Sequence, residues 1–174
     1  MENAANTGNA DATIEEYLDA VFRVHVDYAM PKNRDRLEAE FSEESVSELF
    51  YGGYSWKKHA SCMEVDETTA SDQVILVKHF KAEISSENAI AAMIRQHCRP
   101  ATHLEAYALA KACPELQRQF RMVALGSFAL NGGKPFVAVL QGSAQKRSLD
   151  SYWFDDEVRG WPPDTRFLVV RCHA

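Results

Sequence analysis

The last third of the chain constrains the fold most, because its apolar residues change from helical spacing to alternation. Four strand-length segments lie there: Arg121–Phe128, Pro135–Gln141, Lys146–Phe154 and Arg166–Cys172. Asn131-Gly132-Gly133 separates the first two and predicts a tight hairpin turn. Strands and helices do not alternate regularly along the chain. The pattern therefore favours a largely antiparallel sheet over a doubly wound parallel one.

Capping boxes predict three helices before these strands. In a capping box, a hydroxyl and a carboxylate three residues later satisfy each other's free backbone N–H groups. The three boxes are Thr13–Glu16, Ser45–Glu48 and Thr102–Glu105. The first predicts a helix from Thr13 to Met30 with one apolar stripe. The second predicts a short helix ending at Gly52-Gly53, and the third a helix reaching about Ala112.

A further strand and helix are predicted in the middle of the chain. Gln73–Ala82 is rich in β-branched residues and reads as a strand buried on much of both faces. Ser85, Ser86 and Glu87 begin the next helix, which Arg99-Pro100 ends. Asn33–Phe41 is either a marginal helix or an exposed connection. We therefore expect one α+β domain over 13–174, with a sheet of about five strands covered on one face by amphipathic helices, after a loose tail over 1–12.

The composition is that of an ordinary soluble globule. The chain has 174 residues, of which 46% are hydrophobic and 25% charged, and a fold of this length buries about 70% of its unfolded surface. The polar start resembles no secretory signal, and no apolar run approaches the ~18 residues of a transmembrane helix. We expect a cytoplasmic protein without a membrane partner. The four scattered cysteines are expected to be reduced thiols.

Charge is distributed unevenly along the chain. The net charge of −6 disfavours a general nucleic-acid binder. It divides into −9 before Cys98 and +3 after it. Arginines and aromatic residues are interleaved in the basic half, among them Arg121, Arg166 and Trp161. The candidate residues for binding an anionic ligand or an acidic partner are Arg99, Arg118, Arg147, Tyr152, Trp153 and Arg171. The competing interpretation pairs these arginines with the acidic half of the same chain.

Other patterns give weaker chemical signals. Zinc ligands are offered by the His59/Cys62 pair, by His97-Cys98 and by Cys172-His173, but their spacing is wrong for a structural site. Cys113 lies at a predicted helix C-terminus, which disfavours a thiolate nucleophile with His103 as its base. The run Asp155-Asp156-Glu157 is typical of a solvated loop. The sequence therefore predicts no metal, no cofactor and no catalytic residue.

Several sequence segments together resemble those of a known family. They are Ile84–Ile90, Arg99–Thr102, Pro114–Phe120, Val123–Ser127, Trp153–Asp155 and Arg166–Arg171. These segments are similar to those of an uncharacterised family of small bacterial proteins, recorded as hypothetical proteins in environmental and mobile integron gene-cassette collections. The likeness covers roughly Ser45 to Arg171. It implies no activity, cofactor or catalytic residue.

Three hypotheses of function remain open. The first is a non-enzymatic binding or adaptor protein that engages a small anionic ligand or a protein partner through the basic and aromatic face. The second is an enzyme whose acid–base groups assemble in space from His79, His103 and the Asp155 cluster. The third is a homo-oligomer whose subunits meet through the N-terminal helix.

Overall fold

One sheet organises the chain. The computed structural model describes residues 15–28, 44–46, 55–66, 68–154 and 160–172. The strands of the described part are β1 (Glu16–Val26), β2 (Glu44–Val46), β3 (Trp56–Lys58), β4 (Ser71–Phe80), β5 (Cys98–Pro100), β6 (Met122–Asn131), β7 (Lys134–Gly142), β8 (Arg147–Trp153) and β9 (Arg166–Arg171). The helices are α1 (Ser86–Arg95), α2 (His103–Ala112) and α3 (Leu116–Gln119), and Ala60–Cys62 forms a 3-10 turn.

The strand order is β1-β4-β9-β6-β7-β8-β2, with β3 paired to β6 and β5 paired to β9. All pairs are antiparallel except β6–β9 and β2–β8. The mixed α+β class and the largely antiparallel sheet are thus as predicted. The expected number of about five strands is too low, because β2, β3 and β5 have three residues each, too few to show a period in sequence.

Helices cover both faces of the sheet, not one. Along β4, Ile75 and Val77 enter a core shared with α2, whereas Leu76 and Phe80 enter a second core shared with α1. Successive strand residues point to opposite faces, so a continuous apolar run requires a cover on each. The expectation of helices on one face was therefore wrong.

The predicted helix from Thr13 to Met30 is also wrong over its described part. Residues Glu16–Val26 form β1, which pairs with β4 along its length. Phe22, Val24 and Val26 face the core, while the residues between them face outward. The apolar residues fit a two-residue period here as well as a helical one, and the hydrogen bonds of β4 decide between them.

Of the second capping box, the described residues Ser45 and Val46 lie in strand β2 (Glu44–Val46). The rest of that predicted helix, the segment Asn33–Phe41 and the tail over 1–12 lie outside the described residues.

Other local predictions are confirmed, except the end of the helix that begins at Ser86: α1 ends at Arg95, and Arg99-Pro100, which was expected to end it, lies in strand β5. α2 begins at a complete capping box, in which Thr102 accepts from the Glu105 N–H and Glu105 accepts from the Thr102 N–H. Ser85 is the N-cap of α1. Gly132 and Gly133 form the hairpin turn with φ of 58° and 81°, a conformation that favours glycine.

Candidate functional site

A cavity of about 310 Å³ opens where the end of β8 meets the segment that enters α1. Its wall is formed by Glu83, Ser85, Ser86, Arg121, Tyr152, Trp153, Phe154, Gly160, Trp161 and Pro162. These residues come from four separate parts of the sequence. The volume lies at the lower end of the roughly 300–1,000 Å³ typical of small-molecule sites.

Two short chain segments are joined at the cavity by backbone hydrogen bonds. Ile84 N–H donates to the Trp161 carbonyl at 3.1 Å, and Trp161 N–H donates to the Ile84 carbonyl at 2.7 Å. A Cβ atom on Gly160 would lie 2.5 Å from the Ile84 carbonyl oxygen, so this approach requires glycine. The bridge fixes the position of the Trp161 ring.

Trp161 is also held by its side chain. Its Nε1–H donates to Ser86 Oγ at 2.8 Å, and the Ser86 hydroxyl donates to the Phe154 carbonyl. Trp161 and Ser86 are both buried. The indole therefore forms a rigid wall of the cavity, tied to the first turn of α1 and to the end of β8.

Arg121 contributes a positive charge to the wall. Its Cζ lies over the Tyr152 ring, 4.3 Å from the centroid, and 5.8 Å from the centroid of the Trp161 ring. Both contacts lie within cation–π range. Its Nε is buried and donates no hydrogen bond to any residue of the described part of the chain. No carboxylate in that part forms an ion pair with the guanidinium.

Two of the aromatic wall residues remain accessible. Tyr152 is 43% exposed and Trp153 is 38% exposed. Trp153 packs against Phe136 with ring centroids 3.8 Å apart, and Lys134 Nζ lies 5.0 Å from its centroid. Glu83, the acidic residue of the described wall, accepts a hydrogen bond from Gly160 N–H at 3.2 Å. The cavity thus offers accessible aromatic surface beside one arginine and one glutamate.

Of the six sequence-predicted ligand residues, only Tyr152 and Trp153 line this cavity. Arg99 forms a two-pronged ion pair with buried Glu105, with N···O distances of 2.9 and 2.6 Å. Arg118 donates to the Ser143 and Ala144 carbonyls and pairs with Glu115. Arg147 is buried at the start of β8, and Arg171 is exposed at the end of β9.

The proposed acid–base groups have separate partners. His79 Nδ1 lies 2.9 Å from Asp19 Oδ2, and Asp19 also pairs with Arg166 at 2.8 Å. His103 is buried, with Nδ1 2.8 Å from Ser127 Oγ and its ring stacked on Trp56. The Asp155 cluster lies outside the described residues.

The cysteine and histidine pairs form no cluster of three or more metal ligands in the described part of the chain. His59 caps the 3-10 turn, and buried Cys62 donates to the Pro100 carbonyl at 3.2 Å. His97, Cys98 and Cys172 line one groove, while His173 lies outside the described residues. Burial raises the pKa of the Cys62, Cys98 and Cys113 thiols, which disfavours their thiolates.

Arg121 and Trp161 belong to the basic and aromatic half of the sequence, but they were not among the six predicted ligand-binding residues. The sequence pattern gave no role in ligand binding to Glu83, Ser85, Ser86 or Gly160. The pairing of Ile84 with Trp161 brings these residues together across 77 positions. Residues that lie so far apart in the sequence have no characteristic spacing by which such a site could be recognised.

Comparison with known proteins gives no match to a family model, to a curated protein or to a solved structure. The resemblance to small bacterial hypothetical proteins therefore stays a prediction. Among the described helices, none has the length and apolar character needed to cross a membrane.

Proposed function

We propose that this protein is a non-enzymatic binding protein that holds a small anionic ligand in the cavity beside Arg121. One observation carries the proposal: a guanidinium without an ion-pair partner in the described part of the chain lies over the Tyr152 ring, within cation–π distance of the Trp161 ring, at the wall of a cavity. A guanidinium presents its N–H groups in a planar fork that matches a carboxylate or a phosphate.

Arg121 lines the cavity and is only half-buried. Tyr152 and Trp161 contact it through their π systems and accept no conventional hydrogen bond from it. Concave sites typically bind small molecules, whereas protein partners bind flatter surfaces. We therefore propose a small-molecule ligand in preference to a protein partner. We propose the cytoplasm as the site of action, without a cofactor or a catalytic step.

Replacement of Arg121 by glutamine tests this function. Isothermal titration calorimetry is carried out with benzoate, succinate and inorganic phosphate as probes. At least one probe is expected to bind the wild-type protein, and Arg121→Gln is expected to weaken it about tenfold or more, because a hydrogen bond to a charged group contributes about 1.5–3 kcal/mol.

Arg171→Gln is the matched control, since it removes the same charge from an exposed arginine outside the cavity wall. It is expected to leave the affinity within about twofold, as is usual for a distant exposed charge. Absence of binding for all three probes, or equal weakening by the two variants, contradicts the proposal.

A further inference from the structure

The accessible aromatic surface of the cavity narrows the class of ligand. Tyr152 lines the cavity and keeps 43% of its surface exposed, and its ring centroid lies 6.1 Å from that of Trp161 on the same wall. Large aromatic side chains in a concave site provide stacking surface for a planar ligand, and ring pairs prefer offset or edge-to-face contacts. We propose that the ligand is an aromatic acid with a single carboxylate; this inference rests on the proposed function of the Arg121 cavity.

The charges of the wall favour one carboxylate over a phosphate. Arg121 supplies one fork of N–H donors, which matches the two oxygens of a carboxylate. Glu83 lines the same cavity. Its carboxylate repels a phosphate dianion more strongly than a singly charged acid.

The geometry of the guanidinium places the ring of such an acid. A carboxylate bound by both prongs lies in the plane of the guanidinium. An aromatic ring conjugated to that carboxylate shares the same plane. Because the Arg121 Cζ lies 4.3 Å from the centroid of the Tyr152 ring, a ligand held by Arg121 lies next to the exposed Tyr152 side chain.

The size of the cavity sets an upper limit on the ligand. A volume of about 310 Å³ accommodates one ring or a fused pair of rings with a carboxylate. Trp161, held by the backbone bridge to Ile84 and by Ser86, closes one side.

Paired probes of equal charge test the role of the ring. Calorimetric titrations compare benzoate with cyclohexanecarboxylate, which has a similar size and the same charge but no π system. We expect benzoate to bind the wild-type protein about 3- to 10-fold more tightly, the range that ring stacking supplies beyond buried area. This comparison needs no variant and so does not depend on the folding of one.

Two variants of Tyr152 test whether its ring causes the preference for benzoate over cyclohexanecarboxylate. Tyr152→Leu is expected to remove most of the preference for benzoate, whereas Tyr152→Phe, which keeps the ring, is expected to retain it. Circular dichroism and thermal melting check that both variants fold. Equal binding of benzoate and cyclohexanecarboxylate, or an unchanged preference in folded Tyr152→Leu, overturns the inference.

The outcomes distinguish this inference from the proposed function. If both acids bind equally and Arg121→Gln weakens both, the aromatic inference is wrong and the anion site remains. If phenyl phosphate binds more tightly than benzoate and depends on Arg121, the single carboxylate is wrong and the anion site again remains. If no anion depends on Arg121, both proposals are wrong.

Discussion

At the scale of single residues, Glu105 shows how the fold uses charge internally. Its carboxylate is fully buried and binds the Arg99 guanidinium, the Tyr28 hydroxyl and the Thr102 N–H. The same side chain completes the capping box of α2. Arg99 therefore neutralises a buried carboxylate, whereas the Arg121 guanidinium lies over aromatic rings and forms no ion pair in the described part of the chain.

Glu105→Gln is expected to lower the free energy of unfolding by about 3–5 kcal/mol, because it leaves the partly buried Arg99 guanidinium without its counter-charge. Urea denaturation at neutral pH measures the change. Glu115→Gln is the control, since Glu115 also pairs with an arginine but its side chain is 74% exposed; it is expected to cost less than about 1 kcal/mol. A loss below about 1 kcal/mol for Glu105→Gln contradicts this account of the pair.

At the scale of elements, β1 shows where a local pattern is ambiguous. Its sequence contains apolar residues at helical intervals, but valines and aromatic residues also favour a strand. Pairing with β4 satisfies its backbone groups along one edge and buries Val24 and Val26. Two ion pairs, Asp19–His79 and Glu16–Lys78, join the same two strands.

Paired substitutions on β1 distinguish a strand from a helix. Val21 and Val24 are three residues apart and would share one face of a helix, but on the strand Val21 is 54% exposed and Val24 is 3% exposed. Val24→Thr is expected to cost about 1–3 kcal/mol of unfolding free energy, because it buries a hydroxyl at almost constant volume.

Val21→Thr is expected to change the unfolding free energy by less than about 0.5 kcal/mol, as surface substitutions usually do. Both values come from urea denaturation of the full-length protein. Similar losses for the two variants argue for a helix and against β1 as described.

The C-terminal strands and α2 were predictable because their signals act over a few residues. The Gly132-Gly133 turn joins strands that are adjacent in sequence, and Thr102 caps a helix that begins at the next residue. The short strand β3 had no such signal, since it pairs with β6 across about 70 positions. For the same reason, the residues that line the Arg121 cavity could not be grouped from the sequence, because they come from four separate parts of it.

At the scale of the whole molecule, two tyrosines buried in one core make stability sensitive to high pH. Burial raises the pKa of Tyr28, and the Glu105 carboxylate beside it acts in the same direction. Burial also raises the pKa of Tyr107. Both rings pack in the core between the sheet and α2. The folded protein therefore keeps two protons that the unfolded chain releases near pH ~10.

Because the folded state binds more protons, the unfolding free energy is expected to fall as the pH rises above ~10, and to be fully retained below it. Each tyrosine contributes up to about 1.4 kcal/mol per pH unit to this slope. Urea denaturation between about pH 8 and about pH 11, a range that includes the ordinary tyrosine pKa of about 10, measures this slope. Tyr28→Phe is expected to reduce the slope, and Tyr17→Phe, at an exposed ring, to leave it unchanged. Equal slopes for wild type and Tyr28→Phe contradict the prediction.

The acidic and basic halves of the sequence meet in the folded chain. Asp19, from the acidic half, pairs with Arg166 of the basic half at 2.8 Å. Other pairs lie within one half, such as Lys78 with Glu16 and Arg99 with Glu105. The uneven charge of the sequence is therefore only partly neutralised between its halves in the described structure.

The sequence alone determined the elements whose causes are local: the cap of α2, the hairpin turn and the apolar alternation of β4 and of the C-terminal strands. Capping, turn geometry and side-chain period act over a few residues, so they can be recognised without a partner. Only the tertiary structure decided that β1 is a strand, that helices cover both faces, and that Arg121, Tyr152 and Trp161 share one cavity. These features depend on hydrogen bonds and burial between distant segments, whose energies appear only when the sheet is assembled.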